Sequence, residues 1–214
     1  MVRGAGRAEG TLLVAVVLAV LVATGVQAKS PGTWFMEVVW VLAGLPLVLA
    51  LRKRFPLTRL LCWLLVLHAV VLCYGGQYTY AETPLGEWAQ DWLGTQRNNY
   101  DRLAHFVQGF VPAVAVREVL LRRTPLRPGG WVSFLTVSVC LAISACFEFV
   151  EWVSALVAGS DADDFLATQG DDWDTQWDMF LCLCGAIVSV LVWRRLHDRQ
   201  LGESVRDVSA AHLN

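Results

Sequence analysis

Apolar residues in this chain fall into six near-continuous runs rather than a helical stripe or a strand-like alternation. The runs cover residues 11–26, 34–51, 58–75, 103–121, 131–157 and 177–193. Each approaches the roughly 20 residues a helix needs to cross a bilayer, so the pattern predicts an all-α, polytopic transmembrane bundle of six spans. The fourth run is the least apolar, carrying His105, Gln108, Arg117 and Glu118, and the fifth is long enough to tilt or to project. Between the third and fourth, residues 77–100 predict a short surface helix. Thr83 can cap it, Pro84 suits its first turn and Gly94 its end. Leu85, Trp88, Trp92 and Leu93 then share a face opposite Glu87 and Asp91, as in a helix lying on the membrane surface. The spans form one domain over residues 1–198, and a short polar tail, 199–214, follows.

Charge gives the spans a direction. Fourteen Lys and Arg residues fall on one side of six spans, at positions 3 and 7, 52–54 and 59, 117–127, and 194–206. Only Lys29, Arg97 and Arg102 fall on the other. By the positive-inside rule, both termini are cytoplasmic. Tryptophans sort accordingly, with Trp34, Trp88, Trp92, Trp152, Trp173 and Trp177 near the outer interface and Trp63, Trp131 and Trp193 near the inner one. The first run also has a signal-peptide reading, with a basic start and Val26-Gln27-Ala28 as the cleavage site. Glu9 and the run's length favour a retained anchor.

Composition agrees: 56% of residues are hydrophobic and 17% charged, which points to a membrane protein. No basic tract interleaved with aromatics supports nucleic-acid binding. The six cysteines lie in apolar runs, and Cys182-Leu-Cys184 lacks zinc-ligand spacing, so they read as packing residues. There is no Gly-rich phosphate loop, no Gly-x-Ser-x-Gly elbow and no His-Glu-x-x-His.

Candidate chemistry concentrates at the outer ends of three spans. Asp101 and His105 stand four apart at the start of the fourth, Glu148 and Glu151 three apart at the end of the fifth. Asp171, Asp174 and Asp178 form a stripe entering the sixth. A carboxylate near hydrocarbon costs about 2.5–3.5 kcal/mol at a helix centre, so acids gathered there are a functional hypothesis. Clustered acids repel and need protons, cationic partners or a metal. His with Asp and Glu suits Mn, Fe or Zn, and oxygen-only subsets suit Mg or Ca. The candidate catalytic set is Glu148, Glu151, His105 and Asp178. The candidate metal ligands are His105, Glu148, Glu151, Asp174 and Asp178, supported by Asp101, Arg102, Asp171 and Gln176. Simpler roles stand beside these. Asp171 and Asp172 can cap the sixth helix with Asp174 as a capping-box acid, and Asp161, Asp163 and Asp164 read as a solvated loop. Glu118 reads as an ion pair with Arg122 on an exposed turn, and His68 as a packing histidine.

The runs 100–110 (YDRLAHFVQGF), Arg117-Glu118, 147–152 (FEFVEW) and 168–179 (TQGDDWDTQWDM) resemble the YjdF-like membrane proteins. That resemblance implies a multi-pass protein of the bacterial cytoplasmic (inner) membrane and no particular reaction. More distantly, the pattern is similar to the VanZ-like family, which carries Asp-Lys-x-x-His-Phe, Glu-x-x-Gln and Asp-x-x-x-Asn-x-x-Gly in that order. Asp101, Arg102, His105, Phe106, Glu148, Asp178 and Gly185 fall in place, whereas Glu151 replaces Gln and Cys182 replaces Asn. Three functions are open at this stage. One is a metal-dependent membrane enzyme acting on lipid-headgroup or cell-envelope substrates. Another is a proton- or cation-coupled transporter, and the third a non-catalytic protein with a structural polar network.

Overall fold

The computed structural model describes residues 6–158 and 168–211. They form α1 (Arg7–Val26), α2 (Pro31–Leu51), α3 (Arg59–Gln77), α4 (Pro84–Leu93), α5 (Tyr100–Arg123), α6 (Gly130–Ala158) and α7 (Asp174–Ala211), with no strand among the described residues. All except α4 are long and apolar enough to cross a membrane. Asp161, Asp163 and Asp164 lie outside the described residues.

Local signals set the helix starts. Ser30 accepts from the Thr33 amide with Pro31 in the first turn of α2, and Thr58 accepts from the Leu61 amide at α3. α5 and α7 begin three residues before their apolar runs, which brings Asp101 and Asp174 inside the helices rather than ahead of them. Helix α7 also continues past Asp198 to Ala211, into the segment read as a tail.

The helices form two groups of three. Val17, Leu21, Val38, Val41, Ala69 and Cys73 join α1, α2 and α3. Ala113, Cys140, Cys182 and Ala186 join α5, α6 and α7, and Leu61, Leu64, Val107 and Val111 tie α3 to α5. The contacts His105–Asp178, Gly109–Cys182 and Arg117–His197 advance together along α5 and α7, so these helices are parallel. Their backbones meet at two glycines. A Cβ on Gly109 would overlap the Cys182 carbonyl, and one on Gly185 would overlap the Phe106 carbonyl. Small residues that admit such backbone approach are how helices gain contact where lipid removes the hydrophobic drive. α6 runs antiparallel to this pair and closes the group, with Phe147 against His105 and Cys140 against Ala113.

The surface helix α4 forms as expected and ends at Gly94 in the left-handed conformation (φ 67°). Trp88 and Trp92 stack at 6.3 Å on its exposed face. Thr83 does not cap it. Its hydroxyl instead bonds Asn98 Oδ1, while Asn98 Nδ2 donates to the Thr83 carbonyl. Asn98 also exchanges amide hydrogen bonds with Gln169 just before α7. One buried asparagine therefore ties the starts of α4, α5 and α7 at the acidic end of the bundle.

Candidate functional site

Because α5 begins at Tyr100, Asp101 and His105 occupy its first two turns on one buried face. The α5–α7 crossing brings Asp178 to the same place. His105 Nε2 stands 3.6 Å from Asp101 Oδ1 and 3.9 Å from Asp178 Oδ2, and one donor atom from each residue lies within 4.8 Å of the others. On the third side, the Phe147 ring of α6 meets the His105 ring edge-on at 6.1 Å. The next residue, Glu148, is buried and lies within electrostatic range of His105, Asp174 and Asp178.

Several of these atoms have nothing to bond. Asp178 Oδ1 and His105 Nδ1 are enclosed without a hydrogen-bond partner among the described residues, and the Glu148 carboxylate has only loose approaches from Thr175 and Glu151. A buried polar group left unpaired costs about 1–3 kcal/mol, more if charged, so unpaired atoms on neighbouring Asp178 and His105 require an explanation.

The remaining predicted residues divide. Glu151 is partly buried and interacts electrostatically with Glu148, Asp101 and Asp178. Asp174 and Asp171 turn to arginine, and Asp101 also stands 3.9 Å from Arg97 Nη2. Arg97 Nη1 bonds Asp174 at 2.6 Å and Asp171 at 3.3 Å, and Arg102 bonds Asp171 while lying over the Trp177 ring. Asp171 also accepts from the Trp173 amide, an Asx turn ahead of the helix rather than a cap on its first amides. Asp172 and Gln176 are exposed, so Gln176 is not brought to the cluster.

One residue of this end escaped the sequence reading. Glu37, in α2, is buried with its Cβ against Gly76 and has Asp101 and Glu151 as electrostatic neighbours. As the sole ionisable residue within its apolar run, it carried the signal that an acid inside a span is a site candidate. Tyr80 lies beside it, its ring seated on Gly75, where a Cβ would come 2.5 Å from the ring. The turn that delivers Tyr80 holds Thr79 and Tyr80 at positive φ (53° and 55°), a strained pair for side-chain-bearing residues. Burial drives the Tyr80 phenol well above its usual range, so it stays a hydrogen-bond donor.

The opposite, basic end holds a second cluster and corrects one expectation. Glu118 does pair with Arg122 (2.7 Å), but on no exposed turn: Glu118 is fully buried. Its carboxylate accepts from the Thr58 amide (3.2 Å), the Thr58 hydroxyl (2.7 Å) and His197 Nε2 (3.2 Å). Arg117 donates to His197 Nδ1 and to Asp198. Since a guanidinium can only donate, His197 Nδ1 accepts and Nε2 carries the proton given to Glu118. The sequence separates Glu118 from His197 by 79 residues, and no local pattern foretells the pairing.

Comparison with known proteins fits this architecture. Residues 10–199 match the family described as "Predicted membrane protein (DUF2238)". Among curated proteins, "Inner membrane protein YjdF" of Escherichia coli (strain K12) is 52% identical over 182 residues, covering 85% of this chain and 87% of the relative. No solved structure matches. With six spanning helices and this likeness, the molecule is a multi-pass protein of the bacterial inner membrane, and it belongs to the DUF2238 family of membrane proteins.

Proposed function

We propose that the acidic end is a divalent-cation centre, held by Asp101, His105 and Asp178 and completed by Glu148. One observation carries this reading. Donor atoms from two parallel helices converge within 4.8 Å while the unused atoms beside them are buried and unpartnered. Two ligands of one ion, each about 2.0–2.6 Å from it, stand no more than about 4–5 Å apart, and the triad meets that limit. An imidazole among carboxylates favours Mn, Fe or Zn over Ca. The ion would also neutralise acids that otherwise repel.

The positive-inside distribution of Lys and Arg supports a topology with both termini in the cytoplasm and this centre at the outer face. There, an ion would polarise an oxygen of a lipid-headgroup or cell-envelope substrate or activate water, with the less buried Glu151 positioned as proton acceptor. Asp171 and Asp174 serve structure in this account, since their ion pairs with Arg97 and Arg102 fix the approach of α7 to α5.

Thermal denaturation in mild detergent tests the proposal. After chelation, Mn or Zn at 100-fold above its dissociation constant should stabilise the wild type by about 2.7 kcal/mol. Asp178→Asn should remove the effect. A wild type indifferent to every divalent ion would overturn the centre.

A further inference from the structure

Between the two ionisable clusters, the α5–α6–α7 interface contains three buried hydroxyl groups, two of which the fold leaves unpartnered. Ser144, Thr136 and Ser189 are almost fully buried; Ser144 reaches only the weakly bonding Cys182 thiol, and the Thr136 and Ser189 hydroxyls have no partner among the described residues. Helical Ser and Thr ordinarily bond back to the carbonyl four residues earlier, and Thr11, Thr24, Thr124 and Ser133 of this chain do so. The three buried hydroxyls depart from that habit: Ser144 meets a thiol instead, and Thr136 and Ser189 each forgo a hydrogen bond.

Their spacing forms a line. On α6, Glu148, Ser144, Cys140 and Thr136 follow at intervals of four and share one face. The Cys182 thiol of α7 meets the Cys140 carbonyl at 3.6 Å, which sets it in the turn between Cys140 and Ser144. Farther along α7, Ser189 borders a narrow cleft whose walls include Arg117, Trp193 and His197. Asp178 to His197 is nineteen residues, about 28 Å of helix, close to the roughly 30 Å of a hydrocarbon core. The seam therefore joins the acidic centre to the Glu118–His197 cluster across the membrane.

We infer that this seam passes protons between the two ends through waters that enter among Ser144, Cys182, Ser189 and Thr136. Each hydroxyl can donate and accept, which a relay requires and which an unpaired buried hydroxyl otherwise wastes. The cleft is too tight for a standing column of water, so conduction is slow and depends on helix breathing. Arg117 does not impose a positive barrier at the exit, because Asp198 pairs with it at 2.6 Å and Glu118 adjoins it through His197. The inference does not depend on whether an ion occupies the acidic centre.

The full-length protein in liposomes containing a trapped pH dye supplies the test, with a valinomycin–potassium potential driving proton entry. Wild-type vesicles should acidify faster than protein-free ones. The triple variant Ser144→Ala, Thr136→Val, Ser189→Ala keeps side-chain volume close to native and should fall to the protein-free rate. Its metal content should remain that of the wild type, which separates a failed relay from a failed cation centre. Hydroxyl-radical labelling should also oxidise Cys140 and Cys182 faster than Cys73, which is equally buried but packed among Val17, Leu21 and Val38. A wild type no leakier than empty vesicles, a triple variant conducting at the wild-type rate, or equal labelling of the three thiols would each overturn the inference.

Discussion

Glu118→Gln is the substitution for which sequence and structure foresee opposite outcomes. As a partner of Arg122 on an exposed turn, Glu118 would tolerate the change, at a cost within about 1 kcal/mol. Its observed surroundings forbid an amide. One carboxylate oxygen accepts from Arg122, which has no acceptor to offer in return. The other accepts from the Thr58 hydroxyl and from His197 Nε2, and His197 cannot shift its proton to Nδ1 while Arg117 donates there. Whichever way Gln turns its NH2, a donor faces a donor at full burial. Breaking a buried charged group of this kind costs about 3–5 kcal/mol. For a chain of this length that lowers the melting temperature by about 6–20 °C. Fluorescence-detected size-exclusion after graded heating in mild detergent measures it, with Glu82→Gln at the exposed Lys29 pair as the tolerated control. Glu118→Gln melting alongside Glu82→Gln would refute the buried-network reasoning.

Other consequences follow from the packing and the site. Gly109→Ala and Gly185→Ala force the α5 and α7 backbones apart and should abolish a monodisperse peak, whereas Gly44→Ala, with open space around it, should behave as wild type. Gly86→Ala collides with Asn98 and should free α4, raising proteolysis between α3 and α5 without loss of the spans. Glu148→Gln should keep expression and melting near native while removing bound metal, since the amide oxygen can still accept from Thr175 or Glu151. Reporter fusions after Arg54, Arg127 and Asn214 should read cytoplasmic, and one after Gln90 external. An external signal at Arg127 would invert the placement of the site.

The spans were legible because bilayer thickness demands long apolar runs, and such runs stand out whatever packs around them. The surface helix was legible for a related reason, since Leu85, Trp88 and Trp92 share one face opposite Glu87 and Asp91 and its end falls at Gly94. At the site, Asp101 and His105 were readable as one face of a helix, but their meeting with Asp178 depends on the parallel α5–α7 crossing. Gly109 and Gly185 set that crossing, and a glycine within a span does not announce its neighbour. Glu37 showed its anomaly openly as a lone acid in its run, yet only the docking of α2 on Gly76 brings it toward Asp101. Glu118 departs from its expected exposure because helical spacing names a partner four residues on and says nothing about Thr58 or His197 covering the pair. Long-range burial, rather than local pattern, made the difference in each case.

The cation centre is tested most directly by elemental analysis of the protein purified in mild detergent without chelator, beside His105→Ala and Asp178→Asn prepared identically. The account predicts a transition metal bound in stoichiometric amount to the wild type and lost from both variants, each of which retains its size-exclusion profile. A wild type free of divalent metal, or variants that keep the wild-type content, would contradict it.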